Sequence, residues 1–464
     1  MAWEVAGRTV WVVGLARSGV AAGLLLRDLG ARVIGIDDAE DEAVRRRWDR
    51  EGLPTLAPRA FDEILTGGGW PAAAPWAVVL SPGVPPAHPR LRALPAGVPL
   101  LGEMELAARF CAAPIVAVTG TNGKSTVTEW IAHLARRGGR RAEAVGNVGR
   151  PLSRVARELG PADLAVAEVS SFQLETVSRF APLVGVVLNL APDHLDRYPD
   201  LASYYAAKRI LAGRVRPDGA FVTWTGCPQA RAWPTTAARR VFFGDGAAGA
   251  AVRWEADELV AELDGAPQVL AARGDLSLQS PPNLLNALAS VAAAAAAGTP
   301  AAALAAGLRD FGGLPHRHQP VGRRGGVVFI DDSKATNVHA VCGGLAGWRG
   351  EVVLIAGGSG KGEDYAPLRE VMGAVRHLVA IGQEGPAIAA VLRDLVPVTA
   401  AATLDEAVAL AADLAEPDAA VLLSPACASF DMFANYHQRG EAFAAAARRA
   451  GARAAGAADG KDGA

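Results

Sequence analysis

The stretch IVAVTGTNGKSTVTEWIAHL, residues 115–134, sets the reading of the whole chain. It opens on β-branched and small apolar residues, turns through Gly120 and Gly123, and runs on into a segment with apolar residues at helical spacing. Strand, glycine turn and helix in that order make a phosphate-binding unit, because the glycines let main-chain N–H groups turn inward at a helix N-terminus. Lys124 would then meet terminal phosphates, and Ser125 or Thr126 would ligate Mg²⁺. Gly120 and Gly123 enclose two residues where the general motif has four, so 119–126 is a variant P-loop. The coincidence of Gly, Lys and Ser/Thr after a strand favours phosphate binding over an ordinary strand-to-helix turn.

On both sides of this unit, similar short apolar runs recur at 9–13, 32–36, 77–80, 164–167, 184–188, 327–330, 352–355, 378–381 and 420–423, between longer Ala/Leu/Arg segments with helical spacing. That alternation predicts an α/β protein built on parallel sheets, with its chemistry beyond the carboxyl ends of the strands. A chain of 464 residues should hold about three domains. The Pro/Gly-rich stretch 82–99 leads into a new helix and places one linker near 101–104; a second falls near 312–315, after the Ala-rich helical segment 286–307. The alanine run 292–297 reads as a buried helix, since Ala forms helices well and permits close packing. Residues from about 453 to 464 are small and polar and read as disordered.

Apolar residues at 51% and charged residues at 20% describe a folded, soluble protein. A net charge of −2 gives no whole-chain basic field, which argues against nucleic acid or an anionic membrane surface as partner. No secretory signal and no apolar run of about 18 residues is found, so membrane insertion is not expected and a cytoplasmic location is. Cys111, Cys227, Cys342 and Cys427 lie far apart without a C-x-x-C pair, so neither disulfides nor structural zinc are expected.

Three groups of residues could carry chemistry. The first is VVGLARSG at 12–19, where Gly14 and Gly19 are in place but Ala16 stands at the middle glycine of the dinucleotide fingerprint, and Asp37 ends the next strand. A plain turn, a nicotinamide site or a different nucleotide diphosphate all fit it, with SPGV at 81–84 as a facing loop. The second is the P-loop together with two downstream strand ends: Glu168 in AVAEVSSFQLE, then Asp193, His194 and Asp196 in LNLAPDHLDRYP. Glu168 and His194 are the metal candidates, because a P-loop needs acids nearby to hold Mg²⁺. Lys208, in YYAAKRI, reads as a solvated helix lysine. The third comprises LPHRH (314–318), FIDDSKATN (329–337), IAGGSGKGEDY (355–365) and LLSPACASFDMFANYHQRG (422–440). These place Arg317, Asp332, Lys334, Thr336, Lys361 and Ser429 along one sheet edge, where the cations suit a carboxylate substrate and phosphoryl charge. Satisfied surface turns are the plainer alternative.

In this order and over nearly the whole chain, TGTNGKST, EVSSFQLE, DHLDRYP, LPHRH, DDSKATN, GGSGKG and SPACASFDMF resemble the Mur ligases of peptidoglycan synthesis. SPACASFD and DDSKATN point to the D-glutamate-adding branch. The resemblance implies three α/β domains: an N-terminal Rossmann-like UDP-binding domain at 1–103, a central P-loop ATPase-type parallel-sheet domain at 104–313, and a C-terminal Rossmann-like domain at 314–464 that receives the amino acid. It implies an ATP-dependent ligase, monomeric and cytoplasmic, joining D-glutamate to UDP-N-acetylmuramoyl-L-alanine through an acyl phosphate with two Mg²⁺ ions.

Residue by residue, the resemblance implies that Leu15, Ala16, Asp37, Ser81, Asn147 and His194 face the UDP substrate. Gly120, Thr121, Asn122, Gly123, Lys124, Ser125 and Thr126, with Asn283, Asn286, Arg317, Asp332 and Lys334, face ATP. Ser125, Glu168, His194 and a carbamylated Lys208 hold metal; Lys124, Glu168, His194 and Lys208 are the catalytic set. Thr336, Lys361, Ser429, Phe430 and Tyr436 receive the amino acid. The chain departs from the family pattern at Pro281 and Pro282, which precede Asn283 where His is usual, at Ser359, which replaces an acid, and at Tyr436, where Phe is frequent. A nicotinamide oxidoreductase would leave the P-loop unexplained. The Asn-Pro-Arg motif of the diaminopimelate- and lysine-adding ligases is absent from the sequence. A nucleotide-dependent regulator that hydrolyses ATP without joining anything is the alternative from another class.

Overall fold

The computed structural model describes residues 3–147, 149–194, 197–245, 249–263, 265–360 and 362–453. Asp196, Lys361 and nearly all of the tail expected to be disordered lie outside the described residues. All ten strands expected from the apolar runs form, within a few residues of the expected bounds. The chain divides into two compact units, one of residues 1–275 with 286–309 and one of 276–285 with 310–464.

The first unit contains two sheets. One is wholly parallel, in the order Glu63–Leu65, Arg32–Ile36, Thr9–Val13, Ala77–Leu80, Leu100–Gly102. Helix Glu103–Ala108 follows its last strand at once. Glu105 in that helix accepts the N–H groups of Ser178, Arg179 and Phe180 at 2.9 Å each and pairs with Arg109 at 2.7 Å. Burial opposes its charge, but these donors prevail and hold the carboxyl below its ordinary range.

In the second sheet, Ile115–Thr119 lies between Leu164–Glu168 and Val184–Val187. Parallel pairing continues on one side to Ala142–Gly146 and on the other through Ala220–Trp224 and Arg239–Asp245 to Val252–Glu255. Two further strands, Glu258–Leu263 and Ala266–Ala272, add on antiparallel at the edge of this otherwise parallel sheet. The first hairpin turns through Ala256 at φ 52°, without the Asn-Gly or Asp-Gly pair that makes such turns legible in a sequence. Helix Lys124–Arg137 buries Val127, Trp130, Ile131 and Leu134, one stripe of its surface. The alanine run lies in helix Pro281–Ala296 as expected, with Ala292, Ala293 and Ala294 buried.

The second unit has one sheet in the order Gln319–Arg324, Val327–Asp331, Ala420–Leu423, Val352–Gly357, Val375–Ile381, Val398–Ala400. Only the first pairing is antiparallel. Leu354, Leu378 and Leu422 pack on one face and Val353, Val379 and Val421 on the other, so these strands are covered on both sides. In each sheet the signature loops leave the carboxyl ends of a central strand and its two neighbours, where parallel α/β sheets bind ligands.

Candidate active site

The central loop is built as its sequence requires. Gly120 has φ 147° and Gly123 φ 83°, and a Cβ on Gly123 would lie 2.5 Å from Asn286 Oδ1, so glycine is needed there for conformation and for space. Asn189, which sequence reasoning does not single out, braces the loop. Its Oδ1 accepts the Asn122 N–H at 2.9 Å, its Nδ2 donates to Asn122 O at 3.1 Å, and its own carbonyl accepts the Thr121 N–H at 3.0 Å. Its place just past strand Val184–Val187 is the one signal that could have marked it. Ser125 and Thr126 are buried in the first turn of the helix. Lys124 Nζ donates to the carbonyls of Gly120 (3.1 Å) and Thr121 (2.7 Å).

Lys208 is not the solvated lysine its sequence context suggests. It lies on the buried face of helix Leu201–Arg209, 1% exposed, donates to Gly120 O at 3.0 Å and sits 4.5 Å from the centre of the Tyr204 ring. Burial, and then the neighbouring Lys124 charge, lower its pKa to about 6, against smaller opposing effects of Asp193 and Glu168. Its amine is therefore mostly neutral at pH 7. Glu168 ends its strand with Oε1 accepting Asn147 Nδ2 at 2.7 Å. Its Oε2 is buried with no hydrogen-bond partner among the described residues. His194, at φ 56°, packs its ring 5.0 Å from Phe172 and 5.9 Å from Tyr204. Among the described residues no three His, Cys, Asp or Glu side chains converge as a metal site.

A cavity of about 600 Å³ opens at the first sheet. Gly14, Ala16, Asp37, Ser81 and Asn147 line it, together with Arg17, Asp38, Arg47, His88 and Gln173. Leu15 is fully buried and gives its N–H to Asp37 Oδ2 at 2.9 Å. Arg47 reaches the same oxygen at 2.9 Å. Sequence reasoning passes over Arg47, because a cation within the run Arg45–Arg46–Arg47 on a polar helix carries no local mark of the carboxylate it will meet. Ser81 Oγ donates to Gly14 O at 2.6 Å and ties the two loops together.

The second unit gathers most of its predicted residues. His316 Nδ1 meets Asp331 Oδ2 at 2.7 Å, a bond that raises the imidazole pKa. Asp332 is buried, and Lys334 Nζ lies 4.4 Å from the centre of the Tyr436 ring. Arg317 lies near enough to Tyr436 to act on its hydroxyl. Thr336 gives its N–H to Lys334 O at 2.8 Å. Ser429 is buried, whereas Phe430 is 73% exposed. Buried Asn283 donates to Ser280 Oγ at 3.1 Å. Ser359 and Ala428 exchange main-chain hydrogen bonds of 2.9 and 3.0 Å, holding the glycine-rich loop against SPACAS. Arg439, another residue sequence reasoning does not reach, is completely buried and donates to Ser333 O, Cys427 O and Ala428 O, stapling two signature loops together.

Residues 118–294 match the Mur ligase middle domain, and residues 316–427 match the Mur ligase, glutamate ligase domain. The chain is 42% identical over 464 residues to the UDP-N-acetylmuramoylalanine--D-glutamate ligase of Anaeromyxobacter dehalogenans, covering 95% of this chain and 97% of that protein. It is 38% identical to the enzyme of the same name from Acidobacterium capsulatum, covering 95% and 96%. In fold it is similar to the UDP-N-acetylmuramate-alanine ligase MurC of Thermotoga maritima, with TM-score 0.57, 18% identity and 95% and 99% coverage. It is likewise similar to the MurF ligase of Thermotoga maritima in complex with ADP, with TM-score 0.57, 14% identity and 90% and 95% coverage. The strands, the signature loops at their carboxyl ends and these full-length relatives agree: the chain belongs to the Mur ligase family.

Proposed function

We propose that the chain is an ATP-dependent ligase that joins D-glutamate to UDP-N-acetylmuramoyl-L-alanine in peptidoglycan precursor synthesis. The observation that carries this is its 42% identity, over 95% of its length, to a relative that bears that activity in its name. A carboxylate and an ammonium ion do not condense in water, so the alanyl carboxylate must first be activated. Its oxygen attacks the γ-phosphorus of ATP, ADP leaves, and an acyl phosphate remains. The amine of D-glutamate then adds to the acyl carbon, phosphate departs, and the amide is left with loss of the amine's proton.

Lys124 leaves its own loop carbonyls to meet the transferring phosphoryl group, where a fixed cation stabilises the growing charge. The buried, unpartnered Oε2 of Glu168 and the hydroxyl of Ser125 suit a hard cation that takes its remaining ligands from phosphate oxygens and water. Two Mg²⁺ ions, one at Ser125 and Glu168 and one at His194 with Lys208, would supply Lewis-acid neutralisation of the phosphates. Neutral Lys208 is in the form that adds CO₂, and with release of a proton the neutral amine becomes an anionic carbamate ligand. Asn147, held on Glu168, joins the cavity at Gly14, Ala16, Asp37 and Ser81 to the phosphoryl site, so a sugar nucleotide in the cavity presents its acyl end there.

Asn283, Asn286, Arg317, Asp332 and Lys334 serve ATP; Thr336, Lys361, Ser429, Phe430 and Tyr436 serve the glutamate. The division at 1–103, 104–313 and 314–464, a monomeric state and a cytoplasmic location belong to the same reading. The test is phosphate release from ATP by the purified chain, with D-glutamate and L-glutamate compared. Release should require UDP-N-acetylmuramoyl-L-alanine and D-glutamate together. Undiminished release with either omitted, or no consumption of ATP with both and Mg²⁺ present, would reject the proposal.

A further inference from the structure

The two histidines that flank Arg317 occupy the left-handed region, at φ 61° for His316 and 46° for His318. Few residues with side chains sit there, although His tolerates it better than most. Both residues are buried, and each ring is tied to one of two successive carboxylates at the end of strand Val327–Asp331. His316 Nδ1 hydrogen-bonds Asp331, and His318 Nε2 lies 3.2 Å from Asp332 Oδ2, within ion-pair distance. Asp332 is held at both oxygens: Oδ1 accepts the main-chain N–H of His318 at 3.3 Å, and Oδ2 also accepts Ser424 Oγ at 2.9 Å. A carboxylate only accepts, so the imidazole nitrogen facing it is the one that bears hydrogen. Room for the ring is made by Gly344 in helix Val338–Leu345, where a Cβ would lie 2.5 Å from His318 Nε2.

We propose that His318 is a positioning residue for nucleotide binding: its ring and main-chain N–H groups orient the Asp332 carboxylate, and the same tether fixes the strained turn that presents Arg317. The inference rests on the reading of Asp332 and Arg317 as ATP contacts. Loss of the ring leaves Asp332 Oδ2 on Ser424 Oγ alone and loosens the turn, so the effect falls on ATP and leaves the sugar nucleotide untouched. Losing one close polar contact to a carboxylate, on the scale of a hydrogen bond to a charged group, corresponds to a rise in KM for ATP of about tenfold, with kcat at saturating ATP within about twofold.

Three variants test this, each assayed for KM of both substrates, for kcat, and for thermal unfolding with and without ATP. His318→Phe fills the volume without a donor, and His318→Gln keeps a donor near the ε position. Gly344→Ala keeps the ring but pushes it off Asp332, while favouring the helix. KM for ATP should rise in His318→Phe and Gly344→Ala and be restored in His318→Gln, with KM for the sugar nucleotide unchanged throughout. Stabilisation by ATP should shrink in the same two variants. An unchanged KM for ATP in Gly344→Ala or in folded His318→Phe would overturn the proposal. So would a parallel loss of unfolding temperature and of all kinetic constants in every variant, His318→Gln included, which is the mark of a packing role alone. If the native chain itself gains no stability from ATP, the assignment of these residues to ATP fails as well.

Discussion

At Gly14–Leu15–Ala16 and at Gly120–Lys124 the chain makes the same strand, glycine turn and helix, yet the two turns are electrically opposite. In the first, the Leu15 N–H is already taken by the Asp37 carboxylate, which Arg47 balances from the next helix. In the second, Lys124 and Lys208 both crowd the carbonyl of Gly120. The backbone alone aims N–H groups at the space beyond the strand. Side chains from neighbouring strands and helices decide whether such a turn meets a carboxylate, as Asp37 does at the first, or a lysine placed to receive a phosphate, as Lys124 is at the second.

The contrast is tested most severely at the second turn. Lys124→Ala should lower kcat on the order of 10²–10³-fold, the scale of one electrostatic stabiliser, without weakening sugar-nucleotide binding. Steady-state kinetics with each substrate varied would show it, and ordinary activity in the variant would remove Lys124 from the chemistry. At the first turn, Asp37→Ala strands the Leu15 N–H and Arg47 together. KM for the UDP substrate should rise roughly 10- to 100-fold, the scale of a lost charged hydrogen bond, while KM for ATP stays put. An equal rise in both would mean that Asp37 acts through global folding.

Lys208 extends the contrast to pH. With a folded pKa near 6 and an unfolded one near 10.5, the unfolded chain binds the proton first as pH falls. Stability therefore declines from about pH 10 towards pH 6 and levels off below it. Lys208→Met in bicarbonate-free buffer should flatten this slope and raise stability near pH 7 by on the order of 1–3 kcal/mol, while removing ligase activity. Urea unfolding across that pH range is the measurement; a variant less stable than the native chain at pH 7 would contradict it. Arg47 carries the smallest effect. Its pair with Asp37 is partly solvent-exposed, so Arg47→Ala should raise KM for the UDP substrate only about two- to fivefold. A change as large as that of Asp37→Ala would make the arginine, rather than the carboxylate, the main ligand of the first turn.

How much of this could be read along the chain varies with distance in sequence. The turn at 119–126 is legible because strand, glycines, lysine and hydroxyls are adjacent, and Glu168 is legible as a polar end to an apolar run. Asn189 braces that turn from 67 residues away, and nothing beside it in sequence announces the pairing. The antiparallel pair of Val252–Glu255 and Glu258–Leu263 escapes for another reason: the Ala256–Asp257 turn between its strands lacks the usual glycine or asparagine signal, whereas Asp264–Gly265 ahead of Ala266–Ala272 carries it in the sequence.

The local units, ten apolar strands and the glycine turns at their carboxyl ends, are written in the order of residues alone, since period, φ preference and capping act within a few positions. The charge of those turns was settled by folding. Lys208 is driven to neutrality by burial against a carbonyl 88 positions earlier, and Asp332 is held by a serine 92 positions later. Desolvation and hydrogen bonding act through space, and chain order does not record which distant side chain will occupy that space.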